Sequence, residues 1–311
     1  MKILPLYFYP TTKIFVDDDS SLLQILKVYL SQKYHLVKTF NTVTASKDFF
    51  NKYKNSNKNN SLLKIDMDDE YVGTVQRTPI NFDVTKISKI AEENDRHEEV
   101  SIAVLDYNMP EANGLQLSKE IFDMPMSKIL LTGKATQDDI IAAFNESLID
   151  KYLKKGEENF IDNLELAFDE LSKKYFERKT RPLLNYLQTE NLLPLSDELF
   201  IDFFNIYMDK NDVSEYYLID KQGSFLTINR AGQRQYLVVF TEDNLNDWIN
   251  EYEQELSSDM IGLVKKNKYL PFFGVGMEAS QIDSSLWAQH FHASEVLNGR
   301  ETYYWATVTE H

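Results

Sequence analysis

Short apolar runs and helical periodicities alternate through the first half of this chain. Lys13 to Asp18 (KIFVDD) is an apolar run that ends in acids, and Leu22, Leu23, Leu26 and Leu30 then recur at helical spacing. His35 to Phe40 (HLVKTF) alternates as a strand, and Ala45 to Tyr53 carries a helical pattern. Val100 to Leu105 (VSIAVL) is almost continuously apolar, as a strand buried on both faces must be. A helix at Leu115 to Phe122, a strand at Lys128 to Leu131, a helix at Gln137 to Leu148 and a strand at Lys151 to Leu153 follow. Such alternation predicts an α/β fold: a five-stranded parallel sheet of flavodoxin-like type, covered by helices on both faces and wound right-handedly.

The rhythm breaks once. Lys54 to Asn60 (KNSNKNN) is polar and turn-prone, and Ser61 to Glu99 mixes acids with an isolated Gly73 and a short helical pattern at Val84 to Ala91. Residues of about 54–99 are therefore expected to form an insertion. After the last strand, Glu157 to Lys179 predicts one long amphipathic helix, and Pro182 just past its charged end puts a domain boundary near residue 180, with resumption of the helix beyond the proline left open. The remainder, 181–311, reads as a separate α+β domain. It holds a helix at Ser196 to Met208, capped by Ser196 or Asp197, and a three-strand meander of YYLID, SFLTIN and QYLVVF. A helix capped by Thr241 or Asp243 follows, and a final strand spans Glu301 to Val308. The meander resembles the strands of small sensor modules of the PAS kind.

Composition narrows the functions open to the chain. At 311 residues with 43% hydrophobic content, two domains can each bury a core. Charge interrupts every apolar run before it reaches membrane-spanning length, and the N-terminus lacks the build of a secretory signal. Cysteine is absent, which excludes a disulfide framework and thiolate metal sites. A soluble, cytoplasmic protein without membrane contact is expected. The net charge of −16 is uneven: from Leu183 onward 20 acidic residues stand against 8 basic ones. A phosphate backbone is a poor partner for such a surface.

Three acids, Asp17, Asp18 and Asp106, stand at carboxyl ends of predicted strands, where ligands gather in an open parallel sheet. Carboxylates crowded together stay ionised only with a cation among them, and an all-oxygen site selects Mg²⁺. Thr132 ends another strand and Lys155 follows the last, so a hydroxyl and a fixed positive charge are delivered to the same edge. The chemistry served by that set is in-line phosphoryl transfer to a carboxylate.

FVDDDSS (15–21), VLDYNMPEANGL (104–115), ILLTGKA (129–135) and KYLKKG (151–156) together resemble the signature stretches of the receiver domains of two-component response regulators, in order and at compatible spacing. The resemblance covers about residues 13–178, and the overall arrangement is similar to that of a quorum-sensing response regulator. It implies that Asp106 is the phospho-acceptor, that Asp17 and Asp18 are the acid pair, and that Asp18 and Asp106 ligate Mg²⁺ directly. It further assigns a Mg²⁺ ligand to the backbone carbonyl of Asn108, the switch hydroxyl to Thr132, the active-site lysine to Lys155 and the switch aromatic to Tyr152. A sensor histidine kinase is the implied phosphate donor, and a homodimer formed on phosphorylation through the Gln137 helix, the Tyr152 strand and the Glu157 helix is the implied readout. Two departures stand out. Gly156 occupies the position where the family carries a proline joined by a cis bond, so that Lys154 and Lys155 compete for the lysine role, and the insertion precedes the Asp106 strand.

Other features read as structure. His290 and His292 lack a nearby third ligand, Gly274 and Gly276 are too few for a phosphate loop, and YYW at 303–305 fits a half-buried strand. The expected function is a non-enzymatic, phosphorylation-controlled regulator whose second domain contacts a protein or a small ligand. Two alternatives remain: a DNA-binding regulator using Arg230, Arg234, Lys265, Lys266 and Lys268, and an enzymatic or nucleotide-binding output. The acids at Asp66 to Glu70 could shield the acidic pocket.

Overall fold

The computed structural model describes residues 3–32, 34, 36–56, 83–133, 135–187, 194–266 and 268–310, with backbone alone for 185–187. Gly73 and the acids Asp66 to Glu70 lie outside the described residues. The chain divides into two compact units, Thr11–Asp83 with His97–Tyr175, and Met1–Pro10 with Val84–Arg96 and Phe176–His311.

The chain opens on β1 (Tyr7–Phe8), which belongs to the second unit. The first unit then lays down β2 (Thr12–Val16), α1 (Ser20–Leu30), β3 (Val37–Phe40) and α2 (Val43–Ser56). After α3 (Thr85–Ser88) come β4 (Val100–Asp106), α4 (Gly114–Glu120), β5 (Ser127–Thr132), α5 (Gln137–Asn145), β6 (Lys151–Lys154) and α6 (Phe160–Leu187). The five strands are parallel in the order β3-β2-β4-β5-β6. Period-two alternation sorts their side chains: Phe15, Ile102 and Val104 meet Leu23, Leu26 and Phe168 on one face, and Ile14, Ala103 and Leu105 meet Phe50 and Leu117 on the other. Each fully buried Leu or Phe contributes about 2 kcal/mol, so the two faces together hold the sheet in register.

α6 runs unbroken through Pro182, so of the two outcomes open at the proline the helix continues. The ring removes the N–H that would serve the carbonyl of Arg178, a local cost. Leu183 and Leu184 beyond it are buried at 3% and 5% exposure, and the Thr180 hydroxyl donates to the Phe176 carbonyl at 2.8 Å. Burial of the following turn outweighs the proline.

The second unit is built on a six-stranded antiparallel sheet in the order β1-β7-β8-β9-β13-β12. α7 (Glu198–Lys210), capped by Asp197, precedes the meander β7 (Val213–Leu218), β8 (Phe225–Asn229) and β9 (Arg234–Thr241). α8 (Glu242–Tyr252), capped by Thr241, is followed by α9 (Ser258–Lys265), β10 (Tyr269–Pro271), β11 (Phe291–Ala293), β12 (Glu295–Asn298) and β13 (Thr302–Thr309).

This partition cuts the chain at four places, one of them between Tyr175 and Phe176, because two stretches that precede α6 complete the second unit. β1 pairs with β7, Tyr7 opposite Tyr217 and Phe8 opposite Tyr216, and so covers an otherwise open sheet edge. From the end of the insertion, Arg96 grips buried Glu215 with two hydrogen bonds, Nε to Oε2 at 3.0 Å and Nη2 to Oε1 at 3.1 Å. Tyr217 Oη donates to the same carboxylate at 2.6 Å, and Arg234 is ion-paired with Glu92. Burial and the carboxylate act in opposite directions on the Arg96 guanidinium, and the carboxylate wins, holding it above its ordinary pKa.

Candidate functional site

Neighbouring strands deliver the site. β2 ends at Val16, opposite Leu105 of β4, so that Asp17 follows β2 where Asp106 ends β4; Asp106 in turn stands opposite Leu131 of β5. Ligand atoms of Asp17, Asp18 and Asp106 lie within 4.8 Å of one another. Asp17 and Asp106 are buried, at 1% and 5% exposure, while Asp18 faces solvent.

The local turn fixes the first of these acids. The Asp19 amide donates to Asp17 Oδ1 at 3.0 Å, and Asp19 itself caps α1 by accepting from the amides of Ser21 and Leu22. Lys155 Nζ lies 2.6 Å from Asp17 Oδ2 and 2.8 Å from Asp106 Oδ1, a single cation bridging two buried carboxylates. Burial pulls the Lys155 pKa down, but Asp106 and Asp17 outweigh it and hold it above the usual lysine value. Burial also pushes the Asp17 carboxyl above its usual range, against the pull of Lys155 and the Asp19 amide.

Backbone geometry separates the positions of the two lysines. Lys154 pairs with Thr132 in the sheet and its side chain is exposed. The Lys155 amide donates to the Thr132 carbonyl at 2.9 Å, and by the alternation of an extended chain its side chain leaves on the other side, over the acids. Gly156 follows in the left-handed region at φ +80°, and no cis peptide bond occurs among the described residues. A glycine thus turns the chain at the place where the family's pattern has a proline.

Thr132 ends β5 buried at 4% exposure, and its Oγ1 accepts from the Ala135 amide at 2.7 Å. Asn108 is exposed and forms an isolated backbone bridge with Asn113, and Tyr152 on β6 is 39% exposed. Gly114, which the sequence reading passed over, opens α4 directly against the Asp106 carbonyl; a Cβ there would collide with that oxygen. The Asn-Gly pair before a helix was its visible signal.

An all-oxygen donor set of three carboxylates, one with its Oδ2 buried and, among the described residues, held by the Lys155 ion pair alone, fits a hard divalent cation. It does not fit a soft metal.

The remaining candidates of the sequence have structural explanations. The His290 ring stacks on Phe273 with centroids 5.0 Å apart, and His292 lies in β11 opposite Leu270. Gly274 and Gly276, at φ +118° and +68°, form a turn closed by the Met277 amide on the Gly274 carbonyl. Tyr303 and Tyr304 are buried strand residues of β13. Of the basic residues available for DNA, Arg230 is ion-paired with Asp212, and Arg234 with Glu92 and Glu310.

No family model and no curated protein matches the chain. Among solved structures, the response regulator LqsR of Legionella pneumophila aligns with 99% of this chain and 89% of its own at 24% identity, with a TM-score of 0.77. The signal receiver domain of an HD domain-containing protein from Pseudomonas fluorescens covers 56% of this chain and 94% of its own at 18% identity and a TM-score of 0.37. A CheY-like receiver domain from Methanospirillum hungatei covers 53% and 98% at 20% identity and a TM-score of 0.33. The five-stranded α/β unit and the antiparallel α+β unit that follows it therefore have the fold of a response regulator of known structure.

Proposed function

We propose that the chain is a phosphorylation-controlled response regulator of a two-component system, with Asp106 as its phospho-acceptor. The observation that carries this reading is the bridge of Lys155 between Asp17 and Asp106 at the carboxyl edge of the parallel sheet. We assign the circuit to quorum sensing on the resemblance of the signature stretches and overall arrangement to a quorum-sensing response regulator.

Phosphate arrives from a sensor histidine kinase. The Asp106 carboxylate attacks phosphorus in line, and an O–P bond forms as the P–N bond to the donor imidazole breaks. The electron pair returns to the imidazole, which takes up a proton from water. Lys155, already held over Asp106, neutralises a phosphoryl oxygen, and the Thr132 hydroxyl donates its proton to another. Mg²⁺ would be held by Asp17, Asp18 and Asp106 with the Asn108 carbonyl, and when bound it supplies the charge that offsets the phosphoryl oxygens. Water later cleaves the acyl phosphate and restores the carboxylate, so the unit acts as a switch rather than a turnover enzyme.

The readout is a homodimer. Ile141 and Phe144 of α5, Tyr152 of the edge strand β6 and Leu166 of α6 are exposed apolar residues on consecutive elements, and their burial between two copies supports pairing through this face. Tyr152 is its switch aromatic. The second unit presents its surface to a protein or small ligand in the cytoplasm. DNA is disfavoured by the acidity of that half and by the pairing of both candidate arginines.

The test is labelling with radioactive acetyl phosphate and Mg²⁺. Wild type takes label and Asp106→Asn does not, and solution mass doubles when beryllofluoride mimics the acyl phosphate. Equal labelling of the two proteins would sink the assignment.

A further inference from the structure

Tyr107 directly follows the phospho-acceptor, and its contacts reach three elements. Its amide donates to the Leu131 carbonyl at 2.8 Å, one residue before Thr132, and its carbonyl accepts from the Gly114 amide at 3.1 Å at the start of α4. Its ring packs against the apolar cluster of Leu130, Ala143, Leu148 and Ile149, which holds α5 to the sheet. Its hydroxyl donates to Asp139 Oδ2 at 3.0 Å.

Asp139 is half of the capping box of α5. The same Oδ2 accepts from the Thr136 hydroxyl at 2.6 Å and from the Thr136 amide at 3.3 Å, while the Asp139 amide donates to Thr136 Oγ1 at 3.2 Å. The N-terminus of α5 is thereby tied to the residue beside Asp106. α5 also carries Ile141 and Phe144, two of the exposed apolar residues on the face assigned above to dimerisation.

We infer that Tyr107 is a positioning residue that latches α5 through Asp139 in the unphosphorylated state, and that release of this hydrogen bond is part of the step from phosphorylation to pairing. This deepens the response-regulator reading and rests on it. The link is physical and local. A phosphoryl group on Asp106 moves the adjoining backbone, Tyr107 moves with it, and the hydroxyl can stay on Asp139 only if α5 follows. With the bond gone the capping box still closes through Thr136, so the helix persists while its attachment loosens.

The experiment compares wild type, Tyr107→Phe and Thr136→Ala in two assays, acetyl phosphate labelling and the beryllofluoride concentration at which half the protein is dimeric. Tyr107→Phe keeps the ring and its packing and loses one hydrogen bond. It is expected to label to wild-type stoichiometry and to reach its dimer midpoint at about fivefold lower beryllofluoride, the worth of one net hydrogen bond. Hydrogen exchange of the peptide over α5 should rise in Tyr107→Phe without beryllofluoride. Thr136→Ala weakens the helix cap without removing the tyrosine hydroxyl, and is expected to leave the midpoint unchanged. The inference is overturned if Tyr107→Phe labels normally with an unshifted midpoint, or if Thr136→Ala shifts it equally, since the effect would then be one of helix stability. Wild type that labels neither from acetyl phosphate nor from a kinase would remove the response-regulator reading, and this inference with it.

Discussion

Lys155 Nζ stands 2.8 Å from Asp106 Oδ1, and it does so because the Lys155 backbone extends the β6 pairing by one residue, its amide on the Thr132 carbonyl. One backbone hydrogen bond thus fixes which of two adjacent lysines serves the acids. The same ammonium holds Asp17, so removing it exposes two buried carboxylates to each other.

In Lys155→Met, without divalent cation, the first unit should lose about 3 kcal/mol, the scale of breaking a partly buried ion pair on one side. Millimolar Mg²⁺ should then raise the melting temperature more in the variant than in wild type, since the cation relieves a larger repulsion there. Equal Mg²⁺ shifts, measured by differential scanning fluorimetry, would show that Lys155 does not share the acids with the metal site.

Lys13 provides a pH dependence of known sign. Its side chain is buried in β2 at 2% exposure, donating at 2.9 Å to Thr11 Oγ1, at 3.3 Å to the Thr11 carbonyl and at 3.0 Å to Ser101 Oγ. Burial lowers its pKa to about 7, with Asp169 offering a smaller opposing attraction. Between pH 7 and the ordinary lysine value the unfolded chain carries a proton that the folded chain lacks. Stability should therefore rise with pH across that window, by at most about 1.4 kcal/mol per unit. Lys13→Met should flatten this slope and stabilise the protein at pH 7; urea titrations of both proteins at pH 7 and pH 9 decide it.

The second unit needs Arg96. Arg96→Ala removes the two guanidinium hydrogen bonds from Glu215, which is 6% exposed, and a loss of about 3 kcal/mol is expected. All three tryptophans, Trp248, Trp287 and Trp305, lie in this unit, so intrinsic fluorescence reports its unfolding alone. For the same reason a fragment of 181–311, which lacks β1 and Val84–Arg96, should show a less cooperative fluorescence transition than the full chain. A transition as sharp as the full chain's would mean that those segments add nothing.

Asp197 locks α7 to the β12–β13 turn. It is 1% exposed and accepts from the Leu199 amide at 3.0 Å, the Arg300 amide at 2.5 Å and the Tyr303 hydroxyl at 3.0 Å. These donors hold its pKa below the usual carboxylate range against the opposing effect of burial. The stability it contributes is present above the ordinary aspartate value and is lost as pH falls through its lowered folded value. Asp197→Ala should cost about 2 kcal/mol at pH 7 by tryptophan fluorescence, a cost that shrinks toward pH 3. Gly299→Ala, whose new Cβ meets Asp197 Oδ2, should destabilise the same unit even though the lock's donors remain.

Which residues lie where along the strands was legible in the sequence, because strand and helix periods are local properties. The alternation of KIFV, VSIAVL, KILL and KYL with helical spacing is enough to place Asp17, Asp18, Asp106 and Thr132 at one edge of a parallel sheet. The caps were legible for the same reason to within two residues each, Ser196 or Asp197 and Thr241 or Asp243, of which Asp197 and Thr241 serve, since a cap acts within one turn. What the chain could not announce was long-range pairing. Tyr7 and Phe8 look like a loose apolar start until β7 supplies a sheet edge for them, and Arg96 looks like one charge in a polar insertion until Glu215 is buried beside it. Pro182 leaves open whether the helix stops or resumes, and the buried leucines that follow it keep the helix going. Local spacing therefore determined the elements and the site's acids. The tertiary structure decided which segments build each unit, which lysine meets the acids, and that the tyrosine beside Asp106 reaches α5, because each of these depends on partners distant in the sequence.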